Sequence, residues 1–385
     1  MAPFSEYCGH RLIEGGFEAF YAFDTARDMM LRRRPHRVNI LTDADPASLA
    51  HLFADIEFRT GFGESGFLRR DEIGVHFYTG EYPAGRPLRV PGLWEGNGEM
   101  LERALHHDPF RTNAFFYSLG DGVFHDPLDS YRTLKRKVIE TVDTPSRMIE
   151  EFPHLGLLTA RVFGDTGFDI DPALVRAIGT DTSPAPYAHP DPSVAALFLD
   201  LLTSRRGYES LLLLDQWGIL EMILPEVTGL KVVDQDKDHH PEGDAFLHTL
   251  HCLRYVKRPN ENLMMALLLH DTGKAHAWNR RSEKPFPAHA GESRKIARNV
   301  LRRFHFSPTD TQEVLFLVEN HMMLSAVDRL PESRRKFLFE SPYFSNLLNL
   351  YRADIESGYH RTHNYHRALR AYRSFLRKTN ERAYY

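Results

Sequence analysis

Near Pro145 the hydrophobic pattern of the chain changes its period, and this change limits what it can fold into more than any other feature. Ahead of it, short β-rich runs (Arg37-Val-Asn-Ile-Leu-Thr42, Ile73-Gly-Val-His-Phe-Tyr78, Asn113-Ala-Phe-Phe-Tyr-Ser118) accompany a helix-like stretch over residues 25–34. Gly- and Pro-containing segments at 61–66 and 82–87 predict loops. Beyond Pro145 the strand signals stop, and helical periodicity predicts helices over 148–163, 194–202 and 208–223. The proline-rich interval 180–192 reads as a connector, because proline removes a backbone donor and restricts its neighbour. The expected fold class is α+β: a small mixed α/β head (1–145), an all-α neck (146–230), a second all-α domain (231–358) and a basic C-terminal helix (359–385).

At 385 residues the chain has room for two or three cores. Its 48 basic and 52 acidic residues leave a net charge of −4, so no global basic field draws in nucleic acid and any such contact must be local. The N-terminal residues lack a leader pattern and no apolar run approaches membrane-spanning length, which predicts a soluble, cytoplasmic protein without membrane partners. The two cysteines, Cys8 and Cys252, are far apart, so neither a disulfide framework nor a zinc-thiolate site is expected.

Histidine, by contrast, occurs 21 times, and its placement carries chemistry. His270-Asp271 closes the apolar run Leu267-Leu-Leu-His-Asp-Thr-Gly-Lys274. His248 lies upstream, and His289, His321 and Asp354 downstream, each at the end of an apolar helical stretch where a polar side chain can enter a shared cavity. A single histidine is ordinarily a satisfied one; their joint occurrence in one helical segment points to a metal. Mixed imidazole and carboxylate donors favour one or two divalent ions, Mn²⁺, Fe²⁺, Co²⁺, Ni²⁺ or Zn²⁺, with Mg²⁺ still open. Such an ion acidifies bound water and offsets phosphoryl charge, which suits phosphoester hydrolysis. Asp271 is the expected catalytic carboxylate; Lys274, with Arg280 and Arg281, is placed to meet a substrate phosphate.

This segment resembles the HD phosphohydrolase superfamily. The resemblance implies that His248, His270, Asp271 and Asp354 are the core ligands, that Asp271 can bridge to a second ion, and that His289 and His321 serve that second position. Some two-metal members have a His-His pair where this chain has Asn320-His321, which leaves a one-ion site open.

The order of head, neck and HD segment resembles the bacterial CCA-adding enzyme and poly(A) polymerase family over about residues 20–355. The family's Gly-Gly, Arg-Asp and Asp-x-Asp motifs correspond here to Phe23-Asp24, Arg27-Asp28 and Arg37-Val38-Asn39. Its third carboxylate falls at Gly74, and its Glu-Asp-x-x-Arg motif at Glu151-Phe152-Pro153-His154-Leu155. Nucleotidyl transfer needs carboxylates that hold Mg²⁺ ions, so the head reads as nucleotidyltransferase-like but degenerate. The tail has seven Lys/Arg against one acid. On a helix, Leu369, Tyr372 and Leu376 form a stripe, with Arg367, Arg370, Arg373 and Arg377 around it as a candidate RNA-binding surface; a solvated docking helix is the alternative.

The combined expectation is an HD-type metal-dependent phosphohydrolase acting on a nucleotide, a 2′,3′-cyclic phosphate or an RNA 3′ end, with tRNA among the partners the resemblance implies. Two rivals stand beside it. One is a tRNA nucleotidyltransferase in which Asp28, Asp43 or Asp45 supply displaced carboxylates; the other is a non-catalytic RNA- or nucleotide-binding protein.

Overall fold

A computed structural model of the chain describes residues 3–35, 37–58, 64–70, 73–79, 100–101, 104–105, 107–180, 185–233, 243–275, 289–358 and 362–383. It divides into two compact units, one formed by Met1–Leu155 and Thr166–Thr182, the other by Gly156–Asp165 and Ser183–Tyr385.

The first unit is built on a six-stranded sheet of order β3-β4-β2-β1-β5-β6. Its strands are β1 (Ala19–Ala22), β2 (Val38–Thr42), β3 (Glu64–Arg70), β4 (Ile73–Thr79), β5 (Phe116–Ser118) and β6 (Phe124–His125). Only β2 and β4 run parallel, with Asn39 opposite His76; the other neighbours are antiparallel. Every residue of β1 and β2 is buried, as expected of central strands covered on both faces. Helix Pro3–Glu14 packs one side through Cys8 and Leu12, in a core with Ile40, Val75 and Phe77.

Several local expectations change here. The segment 113–118 is strand only from Phe116, because Asn113 sits in a 3-10 turn and commits its side chain to Arg27 and Asp108. Strand β3 begins at Glu64, inside the stretch read as a loop. The helix expected over 25–34 runs Phe23–Met30, and Arg32, at φ 55°, turns the chain out of it. Past Pro145, Asp169–Ile170 pairs in parallel with Val138–Ile139, a strand pair too short to leave a periodic signal.

The second unit is all helix among its described residues. The helix expected over 208–223 is two, Gly207–Gln216 and Ile219–Ile223, broken where Gly218 adopts φ 72°. The helix expected over 148–163, which begins in the first unit, is likewise split near Pro153, into Pro145–Glu151 and Leu155–Thr166. A short turn of helix, Ala185–Ala188, lies within the interval read as a connector. At the centre is helix Glu261–Leu269, started by Asn260, whose Oδ1 accepts from the Leu263 amide at 2.9 Å. Residues 263–269 of this helix are all buried, and it packs against helices Pro192–Thr203, Ala245–Leu253, His289–Arg303, Pro308–Asn320 and Phe344–Ser357. A helix that is apolar all round has to be surrounded in this way. At about 1.5–3 kcal/mol for each large apolar side chain buried, it anchors the unit.

Candidate metal centre

The central helix ends at Leu269, and the next two residues, His270 and Asp271, emerge at the buried meeting point of its neighbours. Helix Ala245–Leu253 brings His248, and His289 is the first residue of helix His289–Arg303. Helix Pro308–Asn320 delivers His321 as its C-cap. Asp354 comes from helix Phe344–Ser357, one turn inside its end rather than at the end. His248, His270, Asp271 and His321 are each at most 2% exposed, and His289 is 4% exposed.

Two groups of donor atoms result. His248, Cys252, His270 and Asp354 form one, and Asp271, His289 and His321 the other, with the atoms of each within 4.8 Å of one another. Asp271 stands between them: Oδ2 lies 3.3 Å from His270 Nε2, and Oδ1 lies 3.1 Å from His289 Nε2 and 3.8 Å from His321 Nε2. This is the placement expected of a bridging carboxylate.

Backbone carbonyls fix which ring nitrogens face inward. His270 Nδ1 donates to the Leu267 carbonyl at 2.7 Å and His321 Nδ1 to the Val318 carbonyl at 2.8 Å. In the neutral rings, both Nε2 atoms therefore turn a lone pair toward the centre. For His248 a serine does the same work. The Ser357 hydroxyl spends its one proton on the Asp354 carbonyl at 2.6 Å, so its oxygen accepts from His248 Nδ1 at 3.1 Å. That leaves Nε2 facing Asp354 Oδ1 at 3.0 Å, with a lone pair there in the neutral ring. An acceptor facing a carboxylate calls for a proton or a cation between them. His270 Nε2 is buried without a hydrogen-bond partner. A divalent ion fits these donors and resolves both conditions.

Electrostatics set the protonation of these groups before an ion arrives. Although burial opposes charge on His270, the Asp271 carboxylate outweighs it and raises the imidazole to about 9. Burial, assisted by the charge at His270, pushes His321 down to about 4 and keeps it neutral. Asp354 is buried as well, but a proton on His248 Nε2, in the place an ion would take, donates to it and holds it well below the usual carboxylate range.

Lys274 lies beside this cluster with Nζ 2.5 Å from Asp271 Oδ2, so its ammonium partly neutralises that carboxylate. Asn320 is not a donor to the centre: its amide donates to the Phe316 carbonyl at 2.8 Å and accepts from Arg334 at 3.0 Å. Arg280 and Arg281 fall outside the described residues. Cys252 and Ser357, neither of them expected here from the sequence, also lie against this cluster. Their signals were one-turn spacings, His248 to Cys252 at i+4 and Asp354 to Ser357 at i+3, which place each on its partner's helix face.

In the head, the positions matching the nucleotidyltransferase motifs hold other contacts. Phe23 takes a left-handed conformation, φ 55°, where the family has glycine, and its ring packs edge-on against Tyr78, His107 and Phe116. Asp24 Oδ1 accepts from the Asn39 side-chain Nδ2. Arg27 binds Asp28 and Asn113, each at 2.9 Å. Asp43 Oδ1 accepts from the Glu18 amide at 2.8 Å, and Asp45 caps helix Pro46–Leu52 through the Ser48 amide at 2.7 Å. A side chain at Gly74 would meet the Phe67 ring, 2.8 Å from its Cβ. Among the described residues, both groups of donors with metal-ligand spacing lie in the second unit.

The tail helix, Thr362–Ala383, docks through Ala368, Tyr372 and Phe375, so that of the expected stripe Tyr372 is in the docked face, while Leu369 is half-buried and Leu376 is 41% exposed. Tyr372 packs on Phe344 with ring centroids 4.4 Å apart and is not free to stack on a base. Arg367 is bound to the Ser325 carbonyl and Asp328, whereas Arg370, Arg373 and Arg377 are exposed at i, i+3, i+7 spacing. No helix among the described residues is long and apolar enough to cross a membrane.

Comparison with known proteins places these observations. Residues 239–342 match the HD domain family. The chain is 29% identical over 362 residues to the CC-adding tRNA nucleotidyltransferase of Thermus thermophilus, covering 88% of this chain and 76% of that one. It is 26% identical over 268 residues, 67% of this chain, to the A-adding tRNA nucleotidyltransferase of Deinococcus radiodurans, and spans 60% of that relative. In fold it is similar to the Bacillus stearothermophilus CCA-adding enzyme in complex with CTP, with TM-score 0.58, 17% identity, and coverage of 98% of this chain and 84% of that chain.

Proposed function

We propose, from the premise that this chain belongs to the bacterial CCA-adding enzyme and poly(A) polymerase family and carries an HD domain, that its working centre is the histidine and aspartate cluster of the second unit. The reaction we propose is metal-dependent hydrolysis of a phosphoester on a nucleotide, a 2′,3′-cyclic phosphate or an RNA 3′ end. The observation that carries this reading is the convergence of His248, His270 and Asp354 on one side of Asp271, and His289 and His321 on the other, with the tautomers of His248, His270 and His321 set by hydrogen bonds. When bound, a divalent ion supplies an acidified water and positive charge for the phosphoryl oxygens. Asp271 orients the two donor groups about one point, and Lys274 limits the negative charge a phosphate would meet there. Arg280 and Arg281, close in sequence, are the proposed phosphate contacts. Elemental analysis, paired with turnover of bis-p-nitrophenyl phosphate and 2′,3′-cyclic nucleotides, tests the reading. Metal-dependent turnover lost in Asp271→Asn supports it; no turnover with metal bound ends it.

The relatives' names favour a second reading, nucleotidyl transfer to tRNA, over hydrolysis, since they are tRNA nucleotidyltransferases, poly(A) polymerases and multifunctional CCA proteins. The residues of the head weigh against it: Phe23, Asn39 and Gly74 stand at positions that need glycine or a carboxylate. Incubation with CTP, ATP, Mg²⁺ and tRNA lacking its 3′ end decides between them. Incorporation would place the chain among the nucleotide-adding enzymes. The exposed row Arg370, Arg373 and Arg377 is the proposed RNA contact, and equal binding to RNA and an uncharged control would remove it.

A further inference from the structure

Resting on the metal-centre reading above, we infer that Cys252 is a ligand of the His248-side metal position, making it a mixed imidazole, carboxylate and thiolate site that prefers Zn²⁺, Fe²⁺ or Co²⁺ over Mg²⁺ and Mn²⁺. Cys252 follows His248 by one turn of helix Ala245–Leu253, and its Sγ lies 3.8 Å from His248 Nε2. Its sulfur lies within 4.8 Å of the donor atoms of His248, His270 and Asp354. Donors sharing one ion at bond lengths of about 2.0–2.3 Å are at most about 4.6 Å apart, so this group contracts little on binding. One of its members, His270 Nε2, is buried with no hydrogen-bond partner.

The other cysteine shows what a packing role looks like. Cys8 is buried in an apolar cluster with Leu12, Ile40 and Phe77. Cys252 is just as buried, yet its sulfur faces the Ser357 hydroxyl at 3.3 Å and the His248 ring. Ligand softness then sets the preference, because thiolate strengthens binding of borderline ions far more than of hard ones. The thiol proton leaves to solvent as the sulfur binds.

Titration of cobalt(II) into the chelator-stripped full-length chain, followed by absorption, tests this. Histidine and carboxylate ligands give weak visible ligand-field bands; a thiolate adds an intense near-ultraviolet charge-transfer band. We expect both in the wild type and in Cys8→Ser, and loss of the charge-transfer band in Cys252→Ser and Cys252→Ala. Because the chain has two cysteines, a charge-transfer band in Cys8→Ser can come only from Cys252, so the assignment survives even if the Cys252 variants do not fold. Ligand-field bands without the charge-transfer band in the wild type overturn the thiolate ligand and leave the hydrolase reading standing, as does a charge-transfer band that persists in folded Cys252 variants. No bands of either kind remove the metal centre and this inference together. The Zn²⁺ to Mn²⁺ affinity ratio should fall at least about tenfold in Cys252→Ser; an unchanged ratio overturns the preference.

Discussion

Ser357 is not among the proposed metal ligands, yet it decides which nitrogen His248 offers. Its single proton is taken by the Asp354 carbonyl, and this forces it to accept from His248 Nδ1. Ser357→Ala leaves that ring free to present either nitrogen. Loss of such an orienting partner typically costs about 10–100-fold in metal affinity, and we expect that range, read by competition with a chelating dye, with Ser357→Thr restoring most of it. Protonation makes a second residue-scale prediction. Without metal, the Asp271 carboxylate raises His270 to about 9, so at neutral pH an arriving ion displaces its proton. Affinity should therefore rise with pH, about tenfold per unit for this one proton, and level off near 9. A flat profile between pH 6 and 8 in calorimetric titration would show that His270 does not compete for the ion.

At the scale of elements, the centre depends on how closely helix His289–Arg303 approaches the turn after Asp271. Gly273 makes that approach possible. A Cβ there would strike the His289 carbonyl and come within 2.7 Å of the Ser293 amide, while the Gly273 amide donates to Ser293 Oγ at 2.9 Å. Backbone cannot yield as a flexible side chain does, so Gly273→Ala should push the helix away, costing about 1–3 kcal/mol. His289 lies at the displaced end, and metal stoichiometry should drop where two ions bind. Denaturant unfolding together with elemental analysis would register both effects; unchanged stoichiometry would mean that His289 is not a ligand. The tail helix shows how a stripe can be misplaced by one residue. Leu369 and Leu376 look apolar enough to dock, but Ala368 and Phe375 flank Tyr372 on the face that meets Phe339 and Phe344.

On the scale of the whole molecule, the two units have diverged in what their buried polar groups do. In the first, Asp24 pairs with Asn39, and Arg27 with Asp28 and Asn113; in the second, His248, His270, Asp271, His289, His321 and Asp354 are gathered as two groups of donors with metal-ligand spacing. Metal should accordingly stabilise the folded protein, by about 2.7 kcal/mol at a free concentration 100 times the dissociation constant. Asp271→Asn should abolish that gain in a thermal melt with and without Zn²⁺. Phe23→Gly should reduce stability by about 2–3 kcal/mol, since losing a buried phenylalanine at about 3–5 kcal/mol exceeds the 1–2 kcal/mol regained from its left-handed conformation. Metal uptake should not change in that variant. If it does, the head and the centre are coupled in a way the separate units do not suggest.

The α+β class and the helical character of the second unit were legible in the chain itself, as were His248, His270, Asp271, His289, His321 and Asp354 as residues that the fold would bring together. Each reports a local cause: side-chain periodicity, or a polar residue ending an apolar run that must be buried. The isolated strand pair Val138–Ile139 with Asp169–Ile170, the strand β1, and the breaks at Pro153 and Gly218 were not, because two- to four-residue strands and single-residue turns carry too little pattern to register. Tertiary structure alone decided that Cys252 and Ser357 lie beside this cluster, that Asn320 turns away from it, and that Lys274 rests on Asp271. Those outcomes depend on which helix faces meet around Glu261–Leu269. Spacing along the chain places a side chain on its own helix, and only packing brings it to a particular neighbour.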